Sequence, residues 1–184
     1  MFTENNKEYS LEITPLLSPE EVQTGLWLVM AGVDDIPPHI ALINEGLYYS
    51  VSAKKVETGV PLTSIFKAIS RRSVPTLLIK FRNSTLSSPL SFFFEKYPIL
   101  GSGNHSCLWP VRDVFAELFS EKYSKATLVF ELLAMAQADN LIVECKALFL
   151  NNPLLAQGEG RVRLPKYTHT QIREKINSIL KVNE

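Results

Sequence analysis

The hydrophobic pattern of the chain changes period repeatedly, and each change marks an element. Ile65, Phe66 and Ile69 fall on one side of a helix over Leu62 to Arg72, because residues three and four apart share a helix face. Val111, Phe115, Leu118 and Phe119 repeat that spacing in a helix that starts at or just before Cys107. Leu128, Leu132, Met135 and Ala136 repeat it within Ala126 to Ala138, with Ser124 as candidate cap and Asp139-Asn140 as the stop. Thr168-His169-Thr170-Gln171 is a capping box that opens a C-terminal helix burying Ile172, Ile176, Ile179 and Leu180. Ser18-Pro19-Glu20-Glu21 also starts a helix, and Gly25 keeps it short.

Other stretches are apolar without helical spacing. Leu26-Trp27-Leu28-Val29-Met30 lies between Gly25 and Gly32 and fits either a buried strand or a continuation of the preceding helix. His39 to Ile43 and Leu47 to Ser52 flank the turn Asn44-Glu45-Gly46 and read as a β-hairpin. Alternation gives His39, Ala41 and Ile43 one face. A two-residue Glu45-Gly46 turn pairs His39 with Ser52, and a three-residue loop pairs it with Val51. Ser50 or Ser52 is therefore expected near the histidine. Thr76 to Phe81 is apolar enough for an interior strand, Leu141 to Leu150 is another strand, and Arg161 to Leu164 a short one. Leu90 to Phe94 has no clear period, and Phe92, Phe93 and Phe94 are expected at the surface.

Composition narrows the picture. The chain has 184 residues, 46% of them hydrophobic, which suits a single domain with a substantial core. Nineteen basic residues balance 19 acidic ones, so no basic excess favours nucleic acid as a partner. Two cysteines, Cys107 and Cys145, suit a reducing compartment rather than a disulfide scaffold. The segment Met1 to Glu8 is polar, and no apolar run approaches the ~20 residues of a membrane span. The expectation is a cytoplasmic, soluble protein with no membrane span. C-x-x-C, H-E-x-x-H and Gly-rich phosphate loops are absent from the sequence, so no cofactor or metal is expected.

One pairing carries chemistry. Cys107 ends the polar loop Gly101-Ser102-Gly103-Asn104-His105-Ser106 and opens a helix in whose first turn Pro110 is tolerated. Unpaired N–H groups and the positive end of the helix dipole favour a thiolate there. His39 opens a strand and is the candidate base. A thiol nucleophile needs such a base, and the base needs an orienting group. Cys145 sits inside a strand and is assigned to packing.

The order of a strand histidine followed by a helix-start cysteine resembles the circularly permuted NlpC-like cysteine hydrolases of the papain-like superfamily. The matching stretches are His39-Ile40-Ala41-Leu42-Ile43 with Leu47 to Ser52, and Asn104-His105-Ser106-Cys107-Leu108-Trp109, within residues 25–120. The resemblance implies an α+β fold with a central antiparallel sheet and the nucleophile helix packed on it. It implies Cys107 as nucleophile and His39 as base, with Ser50 or Ser52 in the third polar position. The reaction implied is hydrolysis of an amide bond in a peptide or peptidoglycan-like fragment by a cysteine peptidase or amidase. Two other readings use the same scaffold: a binding module with an inactive site, and a lipid-type acyltransferase whose apolar groove Trp109 and Tyr97 would line. His105, two residues before the cysteine, either reaches the site, lines its entrance or is simply exposed.

Overall fold

A computed structural model describes residues 8–52, 54–82, 85–97, 106–150, 155–156 and 160–182. The elements in chain order are β1 (Glu8–Glu12), β2 (Thr14–Pro15), a 3₁₀ turn (Pro19–Val22), β3 (Leu26–Ala31), β4 (His39–Asn44), β5 (Leu47–Val51) and β6 (Val56–Pro61). Then follow α1 (Leu62–Arg72), β7 (Thr76–Phe81), α2 (Leu90–Glu95), α3 (Leu108–Leu118), a second 3₁₀ turn (Glu121–Lys125) and α4 (Val129–Ala138). The chain continues through β8 (Ile142–Leu148), β9 (Leu155–Ala156), β10 (Arg161–Pro165) and α5 (His169–Val182). The fold is α+β. Among the described residues, no helix is long and apolar enough to cross a membrane.

Seven strands form the main sheet in the order β2-β8-β7-β3-β4-β5-β6. Every neighbouring pair is antiparallel except β2 with β8, which is parallel. The sheet is therefore mixed, although the part that carries the candidate residues is antiparallel throughout. A smaller sheet, β1-β10-β9, joins the two ends of the described chain.

β3 is the centre of the sheet and explains its own sequence. Trp27 and Val29 point into one core layer, with Ala41, Ile43, Tyr48 and Leu78 and with Leu62 and Phe66 of α1. Leu28 and Met30 point into the other, with Ile40, Leu42 and Ile79 and with residues of α2, α3 and α4. A strand covered on both faces has no reason to alternate, so the run from Leu26 to Met30 is a strand and not a helical extension.

The hairpin between β4 and β5 uses the two-residue turn. Asn44 pairs with Leu47, and Glu45 and Gly46 both have positive φ (48° and 72°), the type I′ geometry that follows the strand twist. Of the two registers the sequence allows, this is the one that aligns Ser52 with His39, although the paired stretch itself ends at Ala41 with Ser50.

Two expectations change. Phe93 and Phe94 are buried on α2, and only Phe92 is exposed, because a short amphipathic helix turns two of three consecutive rings inward. Ser124 lies within the second 3₁₀ turn rather than at a helix cap. α4 is instead capped by Glu131, whose carboxylate accepts the N–H groups of Thr127 and Leu128. In α5, Thr168 and Gln171 exchange hydrogen bonds as the capping box requires and Ile172 packs against the core; Ile176, Ile179 and Leu180 have side chains outside the described residues.

Candidate functional site

α3 brings Cys107 onto the sheet. Val111, Val114 and Phe115 are fully buried on the face it turns to β3, β4 and β7. Phe115 meets Phe81 of β7 edge-on at 4.7 Å between ring centroids. Cys107 is the residue just before the helix, where Ser106 supplies the local turn: Trp109 N–H donates to the Ser106 carbonyl (3.0 Å) and Leu108 N–H to its Oγ (3.3 Å). Pro110 is buried in the first turn, where its missing N–H costs nothing.

The Cys107 sulfur is buried and surrounded by donors. Burial pushes its thiol pKa up; opposing it are hydrogen bonds from the backbone of Ile40, from the Ser106 side chain, and from the backbone of Cys107 and Leu108. Burial outweighs the donors, so the resting group is a thiol and not the thiolate that a helix start alone suggests. The influence of the Ile40 backbone and the shared core layer put the sulfur near the first residues of β4.

His39 is half-buried, and burial holds its pKa below the ordinary imidazole value, while the charge of Glu57 pulls it upward. A neutral imidazole at neutral pH is the form a base needs. His39 opposes Ala31 of β3. By alternation its side chain leaves β4 on the face of Ala41 and Ile43, whereas Cys107 packs with Ile40 and Leu42 on the other. Both residues thus sit at one end of β4, approaching it from opposite faces, and no hydrogen bond joins the two side chains.

The two serines separate. Ser50 is fully buried and pairs with Ala41 on one side and Glu57 on the other. Its Oγ donates to Glu57 Oε2 at 3.2 Å. Ser52 turns to its own loop: its Oγ donates to the Lys55 carbonyl (3.0 Å) and accepts from Lys55 N–H (3.1 Å). Ser50 is therefore in the row of residues next to His39, and Ser52 is committed to a turn.

Glu57 is the site residue that the sequence reading missed. Its strand, β6, carries a Gly at 59 and a Pro at 61, which mask the strand signal. The alternation of Val56, Thr58 and Val60 around Glu57 was the available sign.

Tyr97 and Trp109 make an edge-on pair at 6.0 Å, with the Tyr97 hydroxyl on Asp113 Oδ2 (2.7 Å) and the Arg112 guanidinium 4.6 Å over the Trp109 ring. This is a half-buried polar-edged cluster rather than a bare apolar groove. His105 lies outside the described residues. Cys145 is buried in β8 and its pKa is pushed up to about 12 by burial and by Glu144, as a packing thiol requires. A cavity of about 960 Å³ lies between β1 and β8, lined by Ile13, Arg82, Gln137, Glu144 and Arg161 among others and by neither Cys107 nor His39. Comparison with protein-family models, with curated proteins and with solved structures found no match.

Proposed function

We propose that the protein is a cysteine hydrolase on a permuted papain-like fold, acting as a peptidase or amidase on an amide bond of a peptide or peptidoglycan-like fragment. The observation that carries the reading is that Cys107 packs in the core layer of Ile40, whose backbone favours its charged form, so that a helix-start thiol and a strand-start histidine share one end of β4. In the reaction His39, whose ring must reach the sulfur around the end of β4 where the pairing with β5 has stopped, takes the thiol proton, and the sulfur attacks the amide carbonyl carbon. The backbone N–H groups at the start of α3 stabilise the oxyanion. His39 then returns the proton to the leaving amine, and water hydrolyses the thioester to release acid and free thiol. The third polar position belongs to Ser50, not to Ser52, whose hydroxyl is spent on the Lys55 turn.

The test is the rate of iodoacetamide labelling of Cys107 against pH, in a Cys145→Ser background, with and without His39→Ala. Labelling that persists well below the ordinary thiol pKa of about 8.5, and that His39→Ala abolishes, supports an activated pair. An ordinary thiol titration that His39→Ala leaves unchanged removes the hydrolase reading.

A second reading has its own observation. The buried Cys107 thiol with a raised pKa and no bond to His39 also fits a binding module in which the site has fallen silent. The same labelling experiment decides between them.

A further inference from the structure

We infer that Glu57 is the positioning residue for His39, acting from β6 through the buried Ser50. The role in catalysis rests on the hydrolase reading above; the link between Glu57 and His39 does not.

The argument begins with register. An irregularity between Tyr48 and Ser50 shifts the β5–β6 pairing so that Ser50, and not its neighbour, faces Glu57. Ser50 also faces Ala41 on β4. His39 is two residues from Ala41 and therefore on the same face. The row His39, Ser50, Glu57 thus runs diagonally across three adjacent strands. Diagonal neighbours on one face of a sheet are within reach of long side chains.

Both oxygens of the Glu57 carboxylate are held. Oε2 accepts from Ser50 Oγ (3.2 Å) and Oε1 is bound by Lys55 Nζ (2.6 Å). The Glu57 side chain is only 17% exposed, against 64% for Lys55. A shielded carboxylate with a fixed orientation acts on a nearby imidazole more strongly than a solvated one. The other groups around His39 do not do this work. Ala31 opposite it on β3 is apolar, and Tyr48 shares the hydroxyl of Ser50. Asp34 and Asp35 before β4 are exposed, as are Lys67, Arg71 and Arg72 of α1. Cys107 approaches from the other face.

The competing account makes Glu57 a strand residue that pairs with Lys55 and does nothing for His39. The two differ in what the imidazole feels. The experiment follows the His39 ring signals by NMR against pH in the full chain, assigned by loss of the signal in His39→Gln. In Glu57→Gln the His39 midpoint is expected to fall by about one pH unit, the usual loss when a neighbouring opposite charge is removed. Glu57→Asp keeps the charge and is expected to recover part of that fall. Lys55→Ala, which frees the carboxylate from its cation, is expected to raise the midpoint. A midpoint unchanged in Glu57→Gln, with the variant folded by circular dichroism, overturns the inference. If Glu57→Gln does not fold, an unchanged midpoint in Lys55→Ala overturns it instead. Failure of the hydrolase reading looks different: the His39 midpoint moves as expected, but Cys107 labels as an ordinary thiol.

Discussion

The backbone of Ile40 favours the charged form of Cys107, and the two residues share one core layer, which sets the start of α3 against the first residues of β4. Strand β4 needs a neighbour on each side for its N–H and C=O groups, but its pairing with β5 runs only as far as Ala41 with Ser50. The nucleophile candidate is thus placed by packing against the sheet and not only by its own helix.

The other adjustable donor is Ser106. Its hydroxyl favours the charged form of Cys107, and its Oγ also accepts Leu108 N–H at the helix start. Ser106→Ala removes both. A hydrogen bond to a charged group is worth about 1.5–3 kcal/mol, so thiolate formation becomes harder by roughly one order of magnitude or more. The expected result is a rate of Cys107 alkylation at neutral pH about tenfold lower, read in a Cys145→Ser background. An unchanged rate would mean that the Ile40 and helix N–H donors carry the sulfur alone.

The three rings of α2 give a graded stability test. Phe94 is fully buried and lies 5.9 Å from the Tyr49 ring, whereas Phe92 is 50% exposed. Phe94→Ala removes a packed ring and is expected to cost about 3–5 kcal/mol, in line with other buried aromatic truncations. Phe92→Ala loses a contact with Lys96 and Phe93 and is expected to cost less than about 1 kcal/mol. Denaturant unfolding of the two variants gives the comparison; similar costs would mean that α2 is packed differently.

At α4, Glu131 gathers Thr127 N–H, Thr127 Oγ and Leu128 N–H on one carboxylate oxygen. These hydrogen bonds depress its pKa against the opposing effect of burial, which is the largest single influence on it. Glu131→Ala leaves two helix-start donors without a partner and is expected to cost about 1 kcal/mol. Ser124→Ala is expected to change stability by less, because that hydroxyl serves only its own 3₁₀ turn, through Glu121. Thermal unfolding of both variants would show whether the order holds.

Local signals were readable in the sequence where one element decides its own fate. The span Leu62–Arg72 for α1 follows from helical spacing, Thr76–Phe81 for β7 from an unbroken apolar run, and the turn at Asn44-Glu45-Gly46 from its chemistry, with its length left open between two and three residues. What stayed hidden depends on partners far along the chain. β1 pairs with β10, Glu8 facing Pro165, and neither strand carries a signal that names the other. β2 is a two-residue strand whose existence depends on β8. The same limit applies to the site. Cys107 and His39 were visible as residue types at element starts, but Glu57 became a candidate only once the β5–β6 register set it against Ser50. The burial that raises the Cys107 pKa is likewise a property of packing and not of the helix start.

The pH dependence of stability follows from His39, and its sign can be worked through. Burial depresses the folded-state pKa of His39 below the unfolded value of 6.5, with Glu57 opposing only in part. Between those two values the unfolded chain binds a proton that the folded chain does not, so protonation favours unfolding there. Stability attributable to His39 is therefore full above pH 6.5 and is lost as pH falls below it, until the folded imidazole itself becomes protonated. The depressed carboxylates Glu21, Glu131 and Asp139 act in the same direction but only at more acidic pH, where carboxylates titrate. Urea unfolding between pH 7.5 and 5 is thus expected to show falling stability in the wild type and a flatter profile in His39→Gln. Equal slopes in the two proteins would mean that His39 takes up its proton as readily in the fold as outside it, and that its neutral form is not built into the structure.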